Sequence, residues 1–118
     1  MSGYNPLNVG FTAGEDITAG QVVYISGDNT VKITTGASNS VVGVAYISAE
    51  DGDKVTVQTD GVVEVTASAA ITVGSPVVSA NNGQVAAYDD TSHTPDQIIG
   101  IALEGASDAN DKIDILLK

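Results

Sequence analysis

The stretch ITAGQVVYISGDNTVKI at residues 17–33 returns at residues 71–87 as ITVGSPVVSANNGQVAA. Both copies keep an Ile-Thr-x-Gly opening, a pair of apolar residues, a turn rich in Asn and Gly, and a valine after the turn. Short runs of β-branched residues on either side of such a turn are typical of a β-hairpin. The stretch therefore predicts a hairpin that occurs twice in this chain of 118 residues.

The match continues beyond the hairpin. VVGVAYI at residues 41–47 returns as IIGIALE at 98–104, and DKVTV at 53–57 returns as DKIDI at 111–115. The offset grows from 54 to 57 to 58 residues, which places insertions chiefly in the polar segment 89–97. We expect a tandem duplication, with halves at about residues 14–60 and 68–118 joined by the strand GVVEVTA. Gly43 matches Gly100, which predicts a β-bulge or a close backbone approach at equivalent places.

The composition predicts an all-β fold. Val, Ile and Thr dominate the apolar and β-branched residues and Leu is rare, a composition that suits a pleated sheet better than a helix. The alternation predicts strands at residues 21–26, 30–34, 41–48, 54–59, 61–66, 75–80, 84–88, 97–104 and 112–117. We expect a flexible N-terminal arm at residues 1–12 and a single β domain at 13–118. In that domain the two halves close on each other as a small barrel or sandwich.

The charge is strongly negative. Fifteen acidic residues face four lysines, Arg is absent, and the formal net charge is −11. Such a surface repels phosphate backbones and anionic lipids, so we expect no direct binding of nucleic acid and no membrane partner. The N-terminus has neither the basic nor the apolar segment of a secretory signal.

Residues that could perform chemistry are scarce. The chain has no Cys and a single histidine, His93, in a polar loop. No nucleotide-binding, hydrolase or metalloprotease motif is present. The acidic turns at residues 50–53 and 108–111 leave Ca²⁺ binding open, although neither has EF-hand spacing and such turns are usually solvated. We therefore expect no enzyme activity, no catalytic residue, no metal site and no cofactor.

The repeated pattern resembles the phage capsid cement, or head decoration, proteins over residues 13–117. The residues that carry the resemblance are Ile17, Gly20, Val23, Gly27, Val31, Gly43, Val44, Gly52, Asp53, Val55, Val57 and Gly61. The resemblance implies a virion structural protein that binds the outer surface of an assembled capsid and stabilises it. It implies the major capsid protein as partner, a homotrimer on the capsid, and synthesis in the host cytoplasm.

In related decoration proteins an N-terminal arm orders on the capsid, which implies that the arm of this chain docks. The implied capsid-binding residues are Tyr4, Pro6, Leu7, Val9 and Phe11. The alternative function is a head-fibre or carbohydrate- or receptor-binding β module, which needs an exposed aromatic platform. Tyr24, Tyr46 and Tyr88 are its candidates, and we expect Tyr24 and Tyr46 to fill the core instead.

Overall fold

A computed structural model describes residues 8–117 of the chain. The strands are β1 (Asn8–Ala13), β2 (Val22–Gly27), β3 (Thr30–Ile33), β4 (Val41–Ala45), β5 (Lys54–Gln58), β6 (Gly61–Thr66), β7 (Pro76–Ser79), β8 (Val85–Ala87), β9 (Ile98–Ala102) and β10 (Lys112–Leu117). A 3-10 helix at Pro95–Gln97 precedes β9. The all-β class is confirmed, and each predicted strand is present. Within this range, no helix is long and apolar enough to cross a membrane.

The first five strands form a closed barrel in the order β1-β3-β2-β4-β5. The N-terminal strand closes it. β1 runs antiparallel to β5, with Asn8 opposite Gln58, and parallel to β3, with Thr12 opposite Thr30. Closure leaves neither β3 nor β5 with a free edge, which satisfies backbone groups that would otherwise need other partners.

The last five strands follow the same path, in the order β6-β10-β9-β7-β8. β6 pairs with β10 as β1 pairs with β5. Across the remaining gap, Ala67 forms a single parallel bridge to Val85, at the position where Ala13 pairs with Val31 in the first barrel. The second repeat is therefore the same unit with a less complete closure.

Two boundaries predicted from the sequence need correction. The boundary between arm and domain at residues 12 and 13 falls inside β1, and the segment GVVEVTA is the opening strand of the second repeat instead of a joining strand. The repeats therefore begin at β1 and β6. The signal was present in the sequence, because FTA at 11–13 and VTA at 65–67 keep the 54-residue offset of the hairpins.

The predicted all-β, barrel-like domain is confirmed, and each repeat has a core of its own. The first core contains Ala13, Ile17, Val23, Val31, Ala45, Val55 and Val57. The second contains Val65, Ala67, Ile71, Val77, Val85, Ile99, Ala102, Ala106, Ile113, Ile115 and Leu117. Val22 and Val44 of the first repeat pack with this second cluster, because alternation along β2 and β4 turns them away from their own core.

Gly43 and Gly100 occupy equivalent bulges, which confirms the prediction for this pair. The register slips by one residue at each of them, where β4 meets β2 and where β9 meets β7. A Cβ at Gly43 would lie 2.1 Å from the carbonyl oxygen of Gln58, and a Cβ at Gly100 would lie 2.2 Å from that of Leu116. Only glycine permits this approach of the neighbouring strand.

The seam between the repeats combines apolar packing with hydrogen bonds to the hairpin turn of the second repeat. The Val22 amide donates to the Gly83 carbonyl at 2.8 Å, and the Gly83 amide donates to the Thr34 carbonyl at 3.1 Å. The Thr34 hydroxyl donates to the Ala80 carbonyl at 2.9 Å. Thr34 is fully buried, and among the described residues no buried side-chain polar atom lacks a partner. The seam therefore joins the two units by buried apolar contacts and satisfied hydrogen bonds.

Candidate interaction surface

The predicted docking residues divide into two groups. Tyr4, Pro6 and Leu7 lie outside the described residues, whereas Val9 and Phe11 lie in β1. Phe11 sits opposite Val55 and packs against the first core, so its side chain supports the barrel. Val9 lies two residues earlier on the same strand and remains 37% exposed. Of these two side chains, only Val9 presents a large apolar surface for a partner.

Sequence reasoning missed a second set of exposed apolar side chains, which lie just beyond β4, just beyond β9 and shortly before β7. Tyr46 is 58% exposed and Ile47 45%, and they form what we call the first tip. Leu103 and Val73, 43% and 61% exposed, form the second tip. Tyr46 and Leu103 are equivalent in the repeat, and their amides donate to Thr56 and Asp114 in the adjacent strand at 2.8 and 2.9 Å. Tyr46 and Leu103 therefore expose apolar side chains from backbone that is hydrogen-bonded to the adjacent strand.

The tyrosines do not assemble into an aromatic platform. Tyr46 does not fill the core as expected, and Tyr24 is half-buried in β2. Tyr88 is half-buried and lies 6.1 Å from the His93 ring, measured between centroids, and this is the one aromatic contact found between residues 8 and 117. Stacking of sugar rings on neighbouring aromatics therefore has no ready site in this part of the chain.

The acidic turns use their carboxylates to hold the backbone. Asp16 accepts a hydrogen bond from the Asp51 amide at 2.9 Å. Asp111 accepts from the amides of Ser107 and Asp108 at 2.9 and 3.2 Å. Among the described residues, no group of three or more His, Asp or Glu side chains is arranged to hold a metal ion. These carboxylates act as caps of the turns.

The inserted loop at residues 89–97 is also organised by its own side chains. The Asp89 amide donates to His93 Nδ1 at 3.0 Å, and the Asp89 carboxylate accepts from the amide and hydroxyl of Thr91. These bonds, led by the one from the Thr91 amide, lower the pKa of Asp89. The Thr94 hydroxyl and then the Asn39 amide group lower the pKa of Asp96 in the same way. His93 thus shapes the loop through this hydrogen bond.

Comparison with known proteins finds similarity of two kinds, to a family and to a solved structure. The phage cement protein family matches residues 2–117. The crystal structure of the head fiber gp8.5 N base in bacteriophage phi29 has a similar fold, with a TM-score of 0.69 and 22% sequence identity. The likeness covers 95% of this chain and 93% of that one. No curated protein sequence matches the chain.

The family match spans both repeats and nearly the whole chain. An all-β body with exposed apolar side chains is compatible with a structural role. The chain belongs to the phage cement protein family, and it is a virion structural protein that binds and stabilises the phage capsid.

Proposed function

We propose that this protein binds the outer surface of the assembled head by contacting the major capsid protein, and that it does so as a homotrimer. The single observation that carries the proposal is the match to the cement family over residues 2–117. Many copies, each binding weakly, stabilise a shell through multivalency, and this task needs no catalysis. The protein is made in the host cytoplasm and acts as a structural protein without enzyme activity.

The proposed contact involves the N-terminal residues Tyr4, Pro6, Leu7 and Val9. Val9 supports it because it is exposed on a strand that is paired on both sides. β1 therefore provides a fixed base for the residues before it. Phe11, which belonged to the docking set predicted from sequence, is assigned to this base because it packs on the barrel core.

The charge of −11 restricts how the contact works. An acidic protein approaches a surface readily only where that surface is positive or where apolar contacts outweigh repulsion. The same charge disfavours direct binding of packaged nucleic acid. We therefore assign the contact to apolar arm residues that meet a neutral or basic patch of the capsid protein.

The second candidate is the base of a head fibre. The observation that favours it is the fold of the phi29 head fiber base, which extends over 95% of this chain. Both candidates place the body on a capsid. They differ in whether the body carries a projecting fibre, which electron microscopy of decorated heads detects.

Co-sedimentation with empty expanded heads tests the proposal. We expect the full chain to pellet with heads, and a variant lacking residues 1–7 to stay in the supernatant while its thermal unfolding is unchanged. The truncation stops before β1, so the barrel keeps its closing strand. The matched control is Tyr46→Ser with Ile47→Ser, which alters the first tip and is expected to leave binding intact.

Retained binding of the truncated chain, with loss of binding in the tip variant, would move the contact from the arm to the tips. Failure of the full chain to pellet at any ionic strength would contradict the outer-surface assignment.

A further inference from the structure

One row of residues crosses the outer face of the first barrel, and Val22, Val44 and Gln58 in this row are buried against the second repeat and the segment that leads into it. Its members are cross-strand partners: Val22 opposite Val44, Val44 opposite Gln58, and Gln58 opposite Asn8. Val22 and Val44 are fully buried and pack with the second core. Gln58 is 4% exposed, and its side-chain amide donates to the carbonyls of Asp60 and Val62, each at 2.9 Å.

The equivalent row of the second repeat is open. It runs Pro76, Ile101, Leu116, Val62, again as cross-strand partners on β7, β9, β10 and β6. Leu116 is 41% exposed and Val62 53%, Pro76 is exposed and Ile101 is half-buried. We call these four residues the second outer row. Four neighbouring apolar residues on one sheet face form a patch of the kind that marks an interface.

The surface that covers the first row also has a counterpart. This covering surface of the second repeat includes the hairpin turn at 81–83 and Ser79. The Ser79 hydroxyl accepts a hydrogen bond from the Ser38 amide at 3.1 Å and donates one to the Gly36 carbonyl at 2.8 Å. In the first repeat the equivalent positions are the turn at 27–29 and Ile25. Ser79 is 1% exposed, whereas Ile25 is 38% exposed. The exposed Ile25 side chain of the first repeat thus occupies the position at which Ser79 of the second repeat forms the seam.

We infer that the second outer row binds the first repeat of another copy of this chain, at Ile25 and the turn 27–29, so that the seam between repeats recurs between chains. The occupant follows from the fold, because the same row in the first repeat is already covered by a unit of this kind. Pro76 has no amide hydrogen, so it cannot reproduce the bond from Val22 to Gly83. The contact between chains therefore depends on apolar packing.

Such a contact joins different surfaces of the two partners, so it is heterologous and forms a ring when the rotation closes. The inference rests on the homotrimer in the proposed function and specifies which faces make it. Because every copy carries the same negative charge, we expect added salt to strengthen the association by screening repulsion.

Sedimentation velocity with two single variants tests the inference. Leu116→Asp and Ile25→Asp each place a charge on one side of the contact. Because burying an unpaired charge costs well over 1.4 kcal/mol, we expect each variant alone to have a dissociation constant for self-association at least about tenfold higher than the unaltered chain. An equimolar mixture keeps one intact pair of faces. We expect the mixture to form a dimer that neither variant forms alone.

The control is Val73→Asp, at a more exposed apolar residue of the second tip, which is expected to associate like the unaltered chain. Unchanged melting temperatures establish that all three variants are folded. Absence of dimer in the mixture, or undiminished association of either single variant, would overturn the inference.

A cysteine pair tests the contact on the capsid itself. The chain has no Cys, so Asn29→Cys with Pro76→Cys introduces the only thiols, at the positions equivalent to Gly83 and Val22, which are hydrogen-bonded across the seam. We expect oxidation of the decorated heads to give disulfide-linked trimers on non-reducing gels. Head binding without cross-linking would refute this contact and leave the capsid-binding function standing, whereas loss of head binding by the unaltered chain would refute that function.

Discussion

The two repeats share one pattern of strand pairing but lie in opposite surroundings. In the first repeat the outer row is buried and the hairpin turn is exposed, and in the second repeat the turn at 81–83 is docked and the outer row is exposed. The residues differ accordingly. Gln58 is replaced by Leu116, and Ile25 by Ser79. The comparison teaches that duplication preserved the inward positions, whereas the outward positions changed with the neighbour that each face meets.

The largest expected effect comes from the two glycines at which the repeats agree most closely. Gly43→Ala and Gly100→Ala each place a Cβ against a backbone oxygen of the next strand, so we expect either to lower the free energy of unfolding by about 3 kcal/mol or more. Urea titration measures this. The control is Gly10→Ala, where nothing lies within 4 Å of the added Cβ. A large loss at one glycine alone would show that the bulges are not equivalent.

A smaller effect is expected at the strand that was missed from the sequence. Phe11→Ala removes a half-buried side chain from the first core, and we expect it to lower the free energy of unfolding by about 2 kcal/mol. Val9→Ser is the matched change on the same strand, and we expect it to cost less than about 0.5 kcal/mol because Val9 is exposed. Equal losses in thermal or chemical unfolding would contradict the division of β1 into a packed and an open residue.

The seam provides a matched pair at equivalent positions. Ser79→Ala removes two hydrogen bonds that cross the seam, so we expect a loss of about 1.5 kcal/mol. Ile25→Ala at the equivalent exposed position is expected to change the stability of the single chain by less than about 0.5 kcal/mol. Denaturant midpoints at low protein concentration give both values. Equal losses of unfolding free energy from both substitutions would show that the hydrogen bonds of Ser79 across the seam add no measurable stability.

The smallest effect concerns the loop that the first repeat lacks. Hydrogen bonds from Thr91 lower the pKa of Asp89 below its ordinary value of 3.8 in the folded chain. A carboxyl group of this kind contributes stability above the unfolded pKa and loses it as the pH falls through the folded pKa. We expect Thr91→Val to raise the Asp89 pKa in an NMR titration, with only a slight change in acid unfolding because the group is exposed. An unmoved titration would contradict the contribution assigned to the Thr91 hydroxyl, since the amide hydrogen bond is kept in this variant.

Much of the fold could be predicted from the sequence, because alternation and turn residues act locally. β6 and β10 have the predicted bounds, and the bulges at Gly43 and Gly100 follow from the repeat. β1 was missed although Val9, Phe11 and Ala13 alternate with more polar residues, because the segment was assigned to an arm and its pairing with β3 and β5 is long-range. The extension of the 54-residue offset is a second signal that marks it.

The interaction surfaces were harder to predict, because they depend on which faces the two units cover. Val22 and Pro76 occupy equivalent sites, yet one is buried and the other exposed. The residues adjacent to Val22 and Pro76 in the sequence do not indicate this difference in burial. Tyr46 was expected in the core because its sequence neighbours are apolar. It lies just beyond β4 instead, where the chain leaves the barrel.

The pairing of β1 with β5 has a consequence for the order of events during folding. The two strands stand at opposite ends of the first repeat, and β6 and β10 at opposite ends of the second. On a ribosome, β1 can pair with β3 once the first hairpin has emerged, but the barrel closes only when β5 follows, and that can happen before the second unit has been made. Such long-range pairing folds slowly relative to local structure. We expect two kinetic steps in refolding, each the closure of one repeat by its own first strand.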